Sequence, residues 1–252
     1  MPGHNVIANL YPLTKFYMAV VLMVVSFMLP GIASKLICFL FINALAAASG
    51  VWSVFIRREL ETVGVLFLIL FVIQTLFYPD ARRILFTFWI FSVKYEGIIF
   101  ALNLGFMLLC AGGSLIWFFA VTKQKDFVLS LEKAGMSPKA SYVVLSTLQI
   151  VPVLRRKSKT IMNAQRARGV ETEGGVLTRA KVFLPTMIPL VLSSIAGTEE
   201  RALTLEARGF SSSRTPTHLE DIKATPADKV AVILITVAFV ALIAGRIALW
   251  LI

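Results

Sequence analysis

Charged and metal-binding residues are scarce in this sequence. Only 15% of its 252 residues are charged, whereas 58% are hydrophobic, a balance that excludes an ordinary water-soluble globular domain. The two histidines, His4 and His218, have no Cys or carboxylate set at ligand spacing, so we expect no metal site. The two cysteines, Cys38 and Cys110, lie far apart inside apolar runs, and we expect small buried hydrophobic residues rather than a disulfide or metal pair.

Motifs for catalysis are also missing. A phosphate-binding G-x-x-x-x-G-K-[ST] loop is absent, because Gly112-Gly113-Ser114 and Gly174-Gly175 lack the following lysine. No cluster of Ser, His, Asp or Cys offers a nucleophile with its base. We therefore expect a non-catalytic chain without a cofactor of its own. The first 14 residues lack a basic region, so we also expect no removable signal peptide.

Acidic residues are fewer than basic ones. The 14 Asp and Glu against 25 Lys and Arg give a net charge of +11. Basic residues beside apolar spans are first explained by the positive-inside rule and by anionic lipid. We therefore expect a lipid bilayer as the partner, and no nucleic acid.

Apolar runs of membrane-spanning length are abundant. A bilayer core about 30 Å thick needs roughly 20 apolar residues per helix. The runs predict an all-α polytopic membrane protein with about five transmembrane helices, at residues 13–30, 33–55, 62–78, 97–121 and 229–250. The aromatic segment 79–96 is typical of an interfacial or re-entrant segment. Small residues four apart, Ala46 with Gly50 and Ala101 with Gly105, favour close packing among this chain's own helices over packing with a partner.

The distribution of Lys and Arg predicts three domains and their orientation. Residues 1–121 hold the first four transmembrane helices, 122–228 form a cytoplasmic domain of two or three long helices, and 229–252 hold the last span. A cytoplasmic N-terminus places a predicted loop with Arg57 and Arg58, and most other basic residues, on the inner side. We therefore expect a multi-pass cell-membrane protein with its C-terminus outside.

The region 122–228 carries helix start and stop signals. A short helix from Lys125 to Ala134 is predicted to stop at Gly135, and Ser137 with Pro138 to start a second helix. A third is predicted from about Leu184 to Arg208. Its apolar stretch is short for a full span, which favours a helix along the membrane surface over a sixth transmembrane helix.

The second and third helices end alike, in Ala167-Arg168-Gly169 and Ala207-Arg208-Gly209. A single such ending needs no function, because Gly is favoured just beyond a helix and Arg is stabilised by the helix dipole. Two identical endings indicate more, since Arg makes bidentate hydrogen bonds to carboxylates and Gly permits close approach of another backbone. The motifs are suited to two acidic grooves on partner proteins.

Two further stretches, Pro12-Leu13-Thr14-Lys15 and Lys133-Ala134-Gly135-Met136-Ser137-Pro138, occur with the paired motifs and the five-span layout. Together they resemble the T component of energy-coupling factor (ECF) transporters. The resemblance implies a coupling and scaffold subunit that joins two ABC-type ATPases to a membrane-embedded substrate-binding S component. ATP and Mg would be bound by the ATPases, and the S component would select the vitamin or metal cation taken up.

The resemblance also assigns residues. The two Ala-Arg-Gly motifs would bind the ATPase subunits, and an apolar surface would contact the S component: Val144, Leu148, Ile188 and Val191. Packing among the helices themselves accounts equally well for these four residues.

Two other functions are compatible with a polytopic chain. A self-contained secondary transporter or channel would use the cytoplasmic segment for regulation, although neither inverted repeats nor ionisable residues in the middle of the spans are evident. A membrane-embedded enzyme is disfavoured by the missing catalytic cluster.

Overall fold

A computed structural model describes Ile7 and residues 9–79, 84–88, 91–170, 175–212 and 222–251. These residues form a helical, polytopic architecture, as predicted. The nine α-helices found there are α1 Pro12–Met28, α2 Gly31–Ala48, α3 Trp52–Glu59, α4 Val65–Phe77, α5 Tyr95–Val121, α6 Gln124–Lys133, α7 Pro138–Ala167, α8 Val176–Ala207 and α9 Pro226–Leu251.

Within the ranges described, five apolar helical segments match the predicted spans in number. Four are long and apolar enough to cross a membrane, at Gly31–Ala48, Trp52–Phe77, Tyr95–Val121 and Pro226–Ala248, and the fifth, α1, is a shorter apolar helix of 17 residues. In the described part of the chain, neither α7 nor α8 is among the four. A sixth span is therefore not found there, while the position of α8 along the membrane surface stays a prediction.

The predicted boundaries of the second and third spans, 33–55 and 62–78, are wrong. The break lies at Gly50, whose φ of +72° is a left-handed conformation that Gly adopts without strain. Arg57 and Arg58 do not lie in a loop, because one helical segment continues from Trp52 to Phe77 through a π-helical turn at Leu60–Gly64. Charge alone does not end a helix, and Arg57 Nε donates to Glu61 Oε1 at 2.8 Å one turn later.

A short β-hairpin in segment 79–96 was not predicted. Its strands, β1 at Ile84–Phe88 and β2 at Phe91–Lys94, pair antiparallel, with Phe86 opposite Val93. Aromatic and β-branched residues favour strands as well as the membrane interface, so composition did not separate the two. An interfacial or re-entrant position of the segment stays a prediction.

The chain divides into two compact units, Met1–Ala134 with Ile222–Ile252 and Gly135–Asp221. The first boundary differs from the predicted one at residue 121, because α6 belongs with the transmembrane helices. Its Val128 and Leu129 are buried, and α6 packs against α1. The unit formed by residues 135–221 consists mainly of α7 and α8.

Helix α5 is the central helix of the transmembrane unit and packs against α1, α2, α3 and α4. The core includes Ile42, Phe55, Trp117 and Phe118. Cys38 and Cys110 are both buried, as expected of small hydrophobic residues, and their thiols lie within hydrogen-bonding distance of each other.

Small residues bring α4 and α5 into close contact. A Cβ atom placed on Gly97 would lie 2.6 Å from the backbone oxygen of Gln74, and one on Gly105 would overlap the ring of Phe67. Ala101, between these glycines, is 1% exposed. The predicted packing of Ala101 and Gly105 within this chain therefore agrees with the structure.

Candidate partner-binding site on α7 and α8

Helices α7 and α8 pack side by side in opposite directions. Near the start of α7, the ring of Tyr142 lies 5.0 Å from that of Phe210, which follows α8. In the middle of the helix pair, Lys157 Nζ of α7 donates to the backbone carbonyl oxygen of Ser193 of α8 at 3.4 Å. The C-terminal end of each helix therefore lies toward the N-terminal end of the other.

The start of α7 follows the sequence signals. The Ser137 hydroxyl accepts a hydrogen bond from the Ala140 N–H at 3.3 Å, and Pro138 occupies the first helical position. Helix α6 ends at Lys133, and Gly135 has a φ of +118°. The predicted cap and helix stop are confirmed.

Helix α8 begins at Val176 and not at the predicted Leu184. Pro185 and Pro189 thus lie inside the helix, where each lacks a backbone N–H. The N–H missing at Pro189 would have bonded the carbonyl of Pro185, four residues earlier. Gln165 Nε2 of α7 donates to that oxygen at 3.1 Å. The Pro185 carbonyl thus has a hydrogen-bond donor from α7, and the helix can contain both prolines. Rules that consider only neighbouring residues do not include this donor, so they predicted a helix start that is too late.

Both Ala-Arg-Gly motifs form the same helix ending. After α7, the Gly169 N–H donates to the backbone carbonyl of Arg166 at 2.9 Å, and the Val170 N–H donates to that of Gln165 at 3.0 Å. After α8, the Gly209 and Phe210 N–H groups make the equivalent bonds to Glu206 and Leu205, at 2.9 and 3.0 Å. These are Schellman motifs, with φ of +84° at Gly169 and +74° at Gly209.

The motifs are exposed and far apart. All six residues, Ala167, Arg168, Gly169, Ala207, Arg208 and Gly209, are exposed. Because the helices are antiparallel, Arg168 lies near the Pro185 region of α8, and the stretch of α8 from there to Arg208 is about 35 Å long at 1.5 Å per residue. The two guanidinium groups therefore lie at two separate places on the surface of the helix pair.

The family model described as "CbiQ: Cobalt transport protein" matches residues 3–219, which include both motifs. The chain belongs to the CbiQ family. It is similar to proteins named "energy-coupling factor transporter transmembrane protein EcfT". The one from Acidaminococcus fermentans is 28% identical over 250 residues, covering 96% of this chain and 92% of the relative. The one from Thermosediminibacter oceani is 25% identical over 242 residues, covering 92% and 91%.

This CbiQ-family chain has exposed apolar residues on both α7 and α8. The four predicted contact residues are substantially accessible, at 40% for Val144, 38% for Leu148, 58% for Ile188 and 53% for Val191. More than half of the surface of Ile188 and Val191 is exposed, whereas most of that of Val144 and Leu148 is covered, so packing within the chain still accounts for part of the set. Their role in binding a partner stays a prediction.

Gln165 is one residue that inspection of the sequence missed. It lies three residues before Arg168, at the end of α7, and bonds the Pro185 carbonyl. It thereby attaches the first motif to α8. The available signal was the Pro185–Pro189 spacing, since a proline four residues after another residue leaves that residue's carbonyl without its helical donor.

Glu59 is a second. Its side chain is 1% exposed on α3, beside Gly113 of α5, and neither carboxyl oxygen has a hydrogen-bond partner among the described residues. Glu59 lies within the helical segment Trp52–Phe77, outside its middle, at a place where a loop was predicted, so this buried carboxyl was not expected from the sequence. Among the described residues, no three His, Cys, Asp or Glu side chains could hold a metal ion, and His4 and His218 lie outside these residues.

The glycines of the two motifs can be tested for a role beyond helix termination. Asn tolerates the left-handed conformation, so Gly209→Asn should preserve the end of α8 at a cost of a few tenths of a kcal/mol, whereas Gly209→Ala should cost about 1 kcal/mol. If Gly209 permits close approach of a partner, Gly209→Asn should weaken partner binding about tenfold with little loss of thermal stability. Normal binding by the Asn variant would show that Gly209 serves the helix end alone.

Proposed function

We propose that this chain is the transmembrane coupling and scaffold subunit of an ECF-type ATP-driven importer. The observation that carries the proposal is the pair of identical, exposed Arg-tipped helix ends at opposite ends of one antiparallel helix pair. Membership of the CbiQ family and the names of the relatives support it. A self-contained secondary transporter or channel is not favoured by this family.

Two ABC-type ATPases are the proposed partners of the two motifs. The planar guanidinium of Arg168 or Arg208 donates in pairs to carboxylates, and the adjacent Gly adds no side chain at the contact. ATP and Mg are bound by the ATPases, and this chain supplies no catalytic group. Because each Arg stands at the end of a long helix, movement of an ATPase displaces a rigid element.

The apolar surface of α7 and α8 is the proposed contact for an S component. Its residues are exposed in this chain, including Val144, Leu148, Ile188 and Val191, and a surface of this kind indicates an interaction site. The S component then selects the substrate, a vitamin or a metal cation. On this proposal, one subunit transmits ATPase movement to a substrate-binding membrane partner.

The motifs must face the ATPases on the cytoplasmic side. The proposed orientation has the N-terminus and residues 122–228 in the cytoplasm and the C-terminus outside. Excess Lys and Arg in the region 122–228 supports it, because basic loops are retained on the inner side.

Co-purification tests the proposal. A tagged form of this chain, expressed with candidate ABC ATPases and an S component, is expected to retain two ATPase subunits per copy, as measured by native mass spectrometry. The reconstituted complex should take up substrate only with hydrolysable ATP. Uptake by the chain alone in vesicles, without nucleotide, would disprove it.

A further inference from the structure

The unit formed by residues 135–221 is inserted between α6 and α9 of the transmembrane unit. The chain enters it after Ala134 and returns at Ile222. At this point Lys133 Nζ donates to the Ile222 carbonyl oxygen at 2.5 Å, so a direct hydrogen bond joins the entering and returning segments. Any force carried by the backbone between the two units passes through these two segments.

Asp228 joins the start of α9 to the start of α1. Its side chain is 3% exposed, and Oδ1 accepts from the Tyr11 N–H at 2.6 Å. Oδ2 accepts from both the N–H and the hydroxyl of Thr225, each at 2.7 Å, and the Thr14 hydroxyl is a further donor to the carboxylate. One buried carboxylate thus satisfies donors at the ends of two helices that are more than 200 residues apart in the chain.

Lys15 adds α6 to the same cluster. It is 4% exposed on α1, and the negative charges of Asp126 on α6 and Asp228 on α9 compensate part of the cost of burying its ammonium. A buried ammonium without such partners would be strongly destabilising. We use the name polar joint for Tyr11, Thr14, Lys15, Asp126, Thr225 and Asp228.

We propose that the polar joint is the point through which movement of residues 135–221 is transferred to the transmembrane helices. The inference rests on the proposed function. The joint connects α6 and α9, which flank the inserted unit, to α1, and α1 packs along α5. Helix α5 also contacts α2, α3 and α4. Because packed helices transmit strain, a rigid displacement of α1 is passed through α5 to these three helices. The six residues of the polar joint are therefore positioning residues: they hold α1, α6 and α9 together so that movement of residues 135–221 reaches the transmembrane helices.

Asp228→Asn tests this role, since it keeps the shape of the side chain and removes its charge. In a complex with ATPases and an S component, we expect ATP hydrolysis to continue while substrate taken up per ATP falls about tenfold, a size typical of coupling between sites. Thr225→Val removes only one donor to Asp228 and should give a smaller fall in the same ratio.

Tyr17→Phe is the matched control. It also removes a hydrogen bond between α1 and α9, from Tyr17 to Thr236 at 3.0 Å, but outside the joint. We expect its uptake per ATP to match that of the unmodified chain. An unchanged ratio in Asp228→Asn and Thr225→Val complexes would overturn the inference, as would an equal fall in Tyr17→Phe. Failure of the unmodified chain to bind ATPases would instead refute the proposed function.

Discussion

Replacing Arg168 and Arg208 together with alanine is expected to leave the protein in the membrane and to abolish both ATPase association and coupled uptake. Arg168 and Arg208 are exposed at the C-terminal ends of α7 and α8, and no described residue forms a salt bridge with either side chain. A central Arg contact of this kind contributes about 3 kcal/mol to binding, or a change in affinity of about a hundredfold. On the proposed function, the double variant therefore loses the contact with each ATPase.

The separation of the two motifs makes the single variants informative. Since the tips are about 35 Å apart along α8, Arg168→Ala and Arg208→Ala should each disturb one ATPase contact and leave the other intact. Native mass spectrometry of the single variants should therefore show complexes with one ATPase lost. Equal loss of both subunits in each single variant would indicate that the ATPases bind only as a pair.

Two controls distinguish the bidentate hydrogen bonding of Arg168 and Arg208 from a general effect of positive charge. Arg155→Ala with Arg156→Ala removes two exposed charges from the middle of α7 and should leave ATPase binding nearly unchanged. Arg168→Lys keeps the charge without the bidentate geometry, so we expect it to bind more weakly than the unmodified chain. A double Arg168→Ala and Arg208→Ala variant with normal binding and transport would remove the basis for the proposed ATPase contacts.

Gly97→Ala is expected to destabilise the transmembrane unit strongly. The new Cβ would lie 2.6 Å from the Gln74 oxygen and 3.3 Å from Thr75 Cα, both backbone atoms of α4. The clash is relieved only by moving α4 away from α5, at a cost of about 3 kcal/mol. A loss of this size lowers Tm by about 10 °C in a protein of this length.

The buried cysteines provide a direct measurement of that effect. Cys38 and Cys110 are the two cysteines of the sequence, at 7% and 0% exposed, so a thiol-reactive dye should react as the helices separate on heating. Gly245→Ala in α9 is the matched control, because a Cβ there meets nothing within 4 Å. Its Tm should change by about 1 °C or less. A Gly97→Ala protein with an unaltered Tm would contradict the close packing of α4 and α5.

Sequence patterns predicted the elements that depend on local chemistry. Apolar runs gave the number of apolar helices, and the Ser137 cap, the stop at Gly135 and both Ala-Arg-Gly endings lie where they were predicted. The same reasoning failed around Arg57 and at the start of α8. In the first case a charged helix segment resembled a loop, and in the second Gln165 supplied a hydrogen bond that local rules do not anticipate.

Solvent preference, helix caps and backbone conformation act over a few residues, and for that reason the residues alone were enough to establish a helical membrane protein with two Arg-tipped helix ends. The antiparallel pairing of α7 with α8, which separates those ends, depends on contacts between residues 20 or more positions apart, such as Gln165 with Pro185. The burial of Glu59 and the joining of α1, α6 and α9 at Asp228 likewise arise from packing between distant segments. Only the folded chain brings these groups together, because their interactions have no signature within a single helix.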